Sequence, residues 1–231
     1  YAMILEESDL AGLPDFARDA ARAAADERGH PGKYAITLAR SSAETFLQFS
    51  SRRDLREKLF HAFLQRGENG GPTDNRAGIA EMVRLRAERA ALLGYKTFAD
   101  YRLDDQMAKT PAAARKLLEE VWTRARAKAL ADRDDLQKII AEEGGNFALA
   151  PWDWRYYAEK LRKARYDLDE SEIKPYFELD RMIAAAFETA QRLFGLSFKP
   201  VDVPLYHPDA RAWEVTDKSG AHVGLFIGDY F

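Results

Sequence analysis

The sequence predicts a mainly α protein with a short strand region near its start and a β-hairpin near its end. Three observations predict it. Apolar residues recur at three- and four-residue spacing through long stretches of good helix formers. Glycines fall where those stretches stop, and β-branched and aromatic runs without helical spacing are confined to residues 34–38 and to the segment beyond residue 198.

Taken in order, residues 14–28 read as a short surface helix, with Pro14 suited to its first turn and Gly29 to its stop. Tyr34-Ala-Ile-Thr-Leu38 reads as a strand that pairs with the apolar residues of 3–5. A helix opens at Ser51, where Leu55, Leu59 and Phe63 share one face, and it closes by Gly67. After the Gly- and Asn-rich loop 67–73, Thr73 or Asp74 is expected to cap a helix that ends at Gly94. A shorter helix follows over 97–107. Thr110-Pro111 starts a helix that stays in period to Glu143, where Gly144-Gly145 stops it. Beyond Pro151 and the aromatic run Trp152-Asp153-Trp154-Arg155-Tyr156-Tyr157, one further helix is expected over 172–194. The segments 211–216 and 222–227 flank the turn Asp217-Lys218-Ser219-Gly220 and predict a hairpin. Its outer strand leaves an apolar edge, for which self-association through the last twenty or so residues is the expected consequence.

Composition narrows the function classes. With 35 basic and 38 acidic residues interspersed, the net charge of -3 offers no broad positive field for a phosphate backbone, so no nucleic-acid partner is expected. Basic residues between Arg155 and Arg165 alternate with tyrosines, but Asp153, Glu159, Asp167, Asp169 and Glu170 cancel most of their field. No apolar run reaches the ~18 residues of a membrane span, and no membrane partner is expected. The first residues lack the basic start and apolar stretch of an export signal. Cysteine is absent, which removes disulfides, thiolate metal sites and a cysteine nucleophile.

Motif chemistry is sparse. The four histidines, His30, His61, His207 and His222, include no pair at the spacing of a helical zinc site. Glu57 and His61 stand four apart, but a lone pair on a charged face lacks the third and fourth ligands a metal needs. No Gly-x-Ser-x-Gly, phosphate loop or dinucleotide fingerprint occurs. The aromatic group Trp152, Asp153, Tyr156 and Tyr157 admits two readings: rings packed between helices with Asp153 as a cap, or side chains that line or support a peptide channel.

Several motifs carry a resemblance. Trp152-Asp153 with Tyr156-Tyr157, Lys174-Pro-Tyr-Phe-Glu-Leu179, Val203-Pro-Leu-Tyr-His-Pro-Asp209, Gly224-Leu-Phe226 and Asp229-Tyr230 occur in one order. Together with Asp74-Asn-Arg76, Leu85-Arg-x-Glu-Arg89 and Leu92-Leu-Gly-Tyr95, they resemble the thimet oligopeptidase family of zinc metallopeptidases, in its bacterial peptidyl-dipeptidase and oligopeptidase A branch. The resemblance implies a multi-helix domain of a zincin-like oligopeptidase that acts on short peptides in the cytoplasm. It also implies one zinc ion held by His-Glu-x-x-His and a downstream glutamate, with the motif's glutamate activating water.

None of those residues stands in this sequence. The expectation is therefore an internal piece of a longer zinc peptidase, with no catalytic residue, metal ligand or cofactor of its own, and inactive alone. On that reading residues 1–50 are a partial N-terminal α/β segment, 51–197 a helical domain, and 198–231 the truncated start of the catalytic-domain sheet. The competing reading is a non-catalytic helical scaffold that binds peptides or a partner.

Overall fold

Residues 1–167 and 170–230 are described in the computed structural model. Asp169, counted above among the acidic neighbours, and Phe231 lie outside the described residues. The protein is mainly α, 58% helical, and its chain contacts divide it into the units Tyr1–Leu168 and Asp169–Phe231.

In the first unit, β1 (Ala2–Leu5) and β2 (Tyr34–Thr37) form the expected antiparallel pair, with Met3 opposite Ile36 and Leu5 opposite Tyr34. Alternation sends Met3 and Leu5 inward and Ile4 outward. Helix α1 (Asp15–Asp26), entered through Pro14 in extended backbone, buries Ala21 and Ala25. Helix α2 (Arg40–Phe49) was not expected; its Ala43, Phe46 and Leu47 lie at helical spacing and are buried. Helix α3 (Arg53–Leu64) adds Leu59 to the same core, which also contains Leu10, Leu13 and Ile36. Gly12 is the tight point of this packing. Its φ is +87°, and a Cβ there would stand 2.4 Å from the Phe49 carbonyl oxygen, an obstacle made of backbone.

Helix α4 (Arg76–Leu92) corrects the expected cap: Asn75 occupies that position, and its side chain makes no capping bond. Asp74 sits one residue earlier and accepts from the backbone N–H groups of Arg76 at 3.0 Å and Gly70 at 2.8 Å. Hydrogen bonds from the Arg76 side chain, then from these backbone groups, hold its carboxyl far below the usual range. Helices α5 (Phe98–Leu103) and α6 (Pro111–Glu142) start as predicted. Thr97 accepts from Asp100 N and Thr110 from Ala113 N, each at 3.2 Å. At ~1.5 Å per residue the 32 residues of α6 span roughly 48 Å. Only its last turns enter a core, where Leu136 and Ile140 pack on Tyr157 of α7 (Trp154–Tyr166).

In the second unit the single helix expected over 172–194 is broken. A short helix, α8 (Glu170–Ile173), and a 3-10 turn, Lys174–Phe177, precede α9 (Leu179–Phe194). Pro175 has no N–H to donate and its ring opposes a continuous helix, and Glu178 is extended with ψ 141°. Strands β3 (Ser197–Pro200), β4 (Arg211–Thr216) and β5 (His222–Gly228) form an antiparallel sheet in that order. Phe187 of α9 stacks on Phe198 at 4.1 Å and meets Trp213 edge-on at 5.3 Å, so the helix covers one sheet face. The predicted hairpin is present. Asp217 organises its turn by accepting from the Ser219 hydroxyl at 2.6 Å, Ser219 N at 2.8 Å and Ala221 N at 3.0 Å.

Two outcomes are expected. Gly12→Ala combines a left-handed backbone with a clash against backbone and should destabilise the protein by about 2 kcal/mol or more in urea unfolding. The Asp217 carboxyl is lowered by the Ser219 hydroxyl first and by the backbone N–H groups next. The turn's contribution is therefore in place above the unfolded carboxylate value and is lost as acid titrates the folded group. The Ser219 and Ala221 amide shifts should stay constant from neutral pH to about pH 4. Movement above that range would contradict the assignment.

Candidate functional site

The chain between Ala150 and Asp153 forms a 3-10 turn with Pro151 in its first position, where a missing N–H leaves nothing unpaired. Asp153 N donates to Ala150 O at 2.9 Å and Ala150 N returns a bond to Asp153 Oδ2 at 3.2 Å. The carboxylate is thereby aimed at α3, where Arg53 and Arg56 stand three residues apart on one face. Arg53 donates through Nε to both oxygens at 3.1 Å and through Nη2 to Oδ2 at 2.9 Å; Arg56 Nη2 reaches Oδ1 at 2.8 Å. The Asp153 and Arg56 side chains are 0% and 1% exposed. Arg56 spends its other donors on Ser50 O at 2.7 Å and Trp152 O at 3.2 Å.

Aromatic rings close the cluster. The Arg56 guanidinium lies 4.1 Å from the Tyr156 ring centre, and that of Arg53 lies 4.3 Å from Phe147 and 5.6 Å from Trp152. Tyr156 meets Tyr157 edge-on at 5.1 Å. Tyr157 is buried beside Leu136 and Ile140, and burial raises its phenol pKa. Trp152 packs on His61 at 5.3 Å and Phe60 at 6.1 Å, while its Nε1–H is buried with no acceptor. Lys160 lies 4.7 Å from the Tyr156 ring and donates to Glu143 at 2.6 Å.

All four residues singled out in the sequence therefore gather in one place. Asp153 is not the side-chain cap of α7 that one reading expected: it makes no such bond and serves the two arginines instead. Sequence reasoning missed Arg53 and Arg56. The available signal was Arg56 beside Leu55, in a helix whose Leu59 is central to the core. Both Asp153 oxygens are occupied by donors, so the group is set up for holding cations rather than for moving a substrate proton.

The second unit has an open groove of about 700 Å³ between α9 and the sheet, walled by Ile183, Phe187, Val201, Leu205 and Trp213. The Asp180–Arg211 pair, at 2.5 Å, stands on its lining. The segments 203–209 and 229–230 meet where Tyr206 donates to Asp229 Oδ2 at 2.6 Å; that bond raises the tyrosine's pKa.

Among the described residues no three His, Cys, Asp or Glu side chains are grouped to hold a metal. His61 faces rings, His222 faces Glu214 at 3.1 Å and His207 faces Asp209 at 3.5 Å.

The sequence profile of peptidase family M3 matches residues 46–231. Dipeptidyl carboxypeptidase of Escherichia coli K12 is 40% identical over 226 residues, covering 97% of this chain and 33% of that protein. A probable cytosolic oligopeptidase A of Arabidopsis thaliana is 34% identical over 237 residues, covering 98% and 34%. Oligopeptidase A of E. coli K12 is 31% identical over 234 residues, covering 99% and 34%. The chain belongs to peptidase family M3. It spans about a third of the length of the curated relatives it matches.

The cluster makes a stability prediction. Asp153→Asn leaves a fully buried guanidinium without its counter-charge and should cost about 3–5 kcal/mol, as should Arg56→Met. The paired replacement Arg56→Met with Asp153→Leu should recover part of that loss. Additive losses in denaturant titrations would show that the two groups do not act as a pair.

Proposed function

We propose that this chain is the helical, non-metal-binding portion of a zinc-dependent oligopeptidase or peptidyl-dipeptidase that hydrolyses short peptides in the cytoplasm. The observation that carries the reading is the family match, joined to 40% identity with a dipeptidyl carboxypeptidase across nearly the whole chain. The cytosolic naming of one relative supports the location. Family M3 peptidases are generally zinc-dependent, yet this sequence has no His-Glu-x-x-His. It has nowhere to hold the ion or to place the glutamate that activates water, so the chain by itself is inactive. Trp152, Asp153, Tyr156 and Tyr157 line the peptide channel or support the architecture on which it is built. Residues 198–231 begin the sheet of the catalytic domain, 51–197 form the helical domain and 1–50 the partial N-terminal segment.

A chimera tests this. Residues 1–231 replace the aligned third of the E. coli dipeptidyl carboxypeptidase, and release of dipeptides from short peptides is measured with and without chelator. The expected result is chelator-sensitive release by the chimera and none by residues 1–231 alone, which should also bind no stoichiometric zinc against a competing chelator. Chelator-sensitive hydrolysis by the isolated chain, with contaminating enzyme excluded, would sink the proposal. A folded chimera that binds zinc but releases nothing would favour the non-catalytic scaffold.

A further inference from the structure

Three asparagines occur in the chain, and the residues that follow them differ: Gly70 after Asn69, Arg76 after Asn75 and Phe147 after Asn146. An asparagine side-chain amide is open to attack by the backbone nitrogen of the next residue, and glycine, with no Cβ, lets that nitrogen approach most freely. Asn69-Gly70 lies in the loop that joins α3 to α4, where both residues are exposed. The reaction joins neighbouring residues, so it needs no partner and no further segment of protein.

The loop holds both reacting groups. Gly70 N donates to Asp74 Oδ2 at 2.8 Å. Asn69 Nδ2 donates to Thr73 Oγ1 at 3.2 Å, and Asn69 Oδ1 accepts from Gly71 N at 3.3 Å. Asn75 N donates to Gly67 O at 2.7 Å and closes the loop across its base. Attack requires the Gly70 nitrogen to lose its proton to hydroxide, and Asp74 opposes that step twice: its oxygen engages the proton, and its charge repels the approaching anion. Asp74 is itself too weak a base to take the proton, because the hydrogen bonds from the Arg76 side chain hold its carboxyl far below the usual range.

We propose that Asn69 is a site of spontaneous deamidation and that Asp74 sets its rate by holding the attacking Gly70 N–H. When the loop opens and that N–H is released, hydroxide removes the proton and the nitrogen attacks Asn69 Cγ. The bond from Cγ to Nδ2 breaks, and ammonia leaves with a proton returned by water. The resulting five-membered imide takes up one water at either carbonyl carbon and opens to aspartate or isoaspartate at position 69. Either product puts a second negative charge one residue from the N–H that Asp74 accepts, and isoaspartate also adds a methylene to the backbone there. Asp74 is at the same time the acceptor for Arg76 N at the entry of α4. The modification is therefore one-way, and it loosens the connection between α3 and α4 once it has occurred.

Trypsin releases residues 67–76 as one peptide, so mass spectrometry of protein aged in neutral buffer reads Asn69 and Asn75 together, and fragmentation separates them. In the folded chain conversion should begin at Asn69, take up one oxygen from labelled water and yield isoaspartate with aspartate. Unfolding in guanidinium chloride should speed it by roughly tenfold or more, as Asp74→Ala should in the folded chain, since each releases a charge-assisted hydrogen bond. Once unfolded, the variant and the original chain should convert at the same rate. Conversion as fast in the folded chain as in the unfolded one overturns the proposal, a comparison that needs no variant. So does an Asp74→Ala chain that keeps its circular dichroism spectrum and converts no faster, a difference between the two chains that persists on unfolding, or conversion that begins at Asn75 or Asn146.

Discussion

The first unit depends on a single buried carboxylate. Asp153 and Arg56 are separated by almost a hundred residues, yet they meet at 2.8 Å with neither side chain open to water. A bare ion pair in such a place does little for net stability, since desolvating two charges offsets most of their attraction. Here the remaining donors and acceptors are also satisfied: Arg56 by two carbonyls, Asp153 by Arg53 and the Ala150 N–H. The arrangement therefore specifies as much as it stabilises. Any slip of α3 against the turn at residues 151–153 leaves a charge stranded, so the pair fixes one register between them.

That register sets the position of α7, and with it the end of α6. Gln48 of α2 donates to Glu159 at 3.0 Å and Arg155 to Glu44 at 2.9 Å, tying α2 to α7 along their lengths. Gln137 of α6 holds the connecting loop from both sides, donating to Phe147 O and accepting from Leu149 N. The basic tyrosine-rich helix is thus neutralised by acids from other elements, such as Glu143 for Lys160 and Asp135 for Arg165. This is a structural use of charge, and it explains why the modest basic cluster of the sequence does not make a basic surface.

Local signals were legible where one residue type dictates one conformation. Thr97, Thr110 with Pro111, and the glycines after α1, α4 and α6 placed helix ends well. The β1–β2 pairing and the hairpin were also legible, because their apolar runs and turn are contiguous. What failed was either masked composition or long range. Helix α2 begins Arg-Ser-Ser and carries Glu and Thr, residues that blur a short apolar stripe. Pro175 was outweighed by the helical spacing around it. The role of Asp153 could not be read at all, since its partners lie on α3 and no local pattern names them.

The helices that bury least are the most informative about what the sequence is suited to do. Apolar and charged residues are interspersed around α4, and of the apolar ones only Ala90 is buried; Leu92 is 88% exposed, and Trp122 of α6 is 65% exposed. In contrast α9, with a strongly one-sided pattern, lays Ile183 and Phe187 toward the sheet, while Leu193 and Phe194 stay exposed. Within one chain, then, some elements are complete by their own packing and others present faces that packing has not used. Exposed apolar faces of this extent mark contact surfaces. In the first unit the charge-locked turn at Asp153 thus stands in the same chain as helices whose apolar side chains remain open to contact.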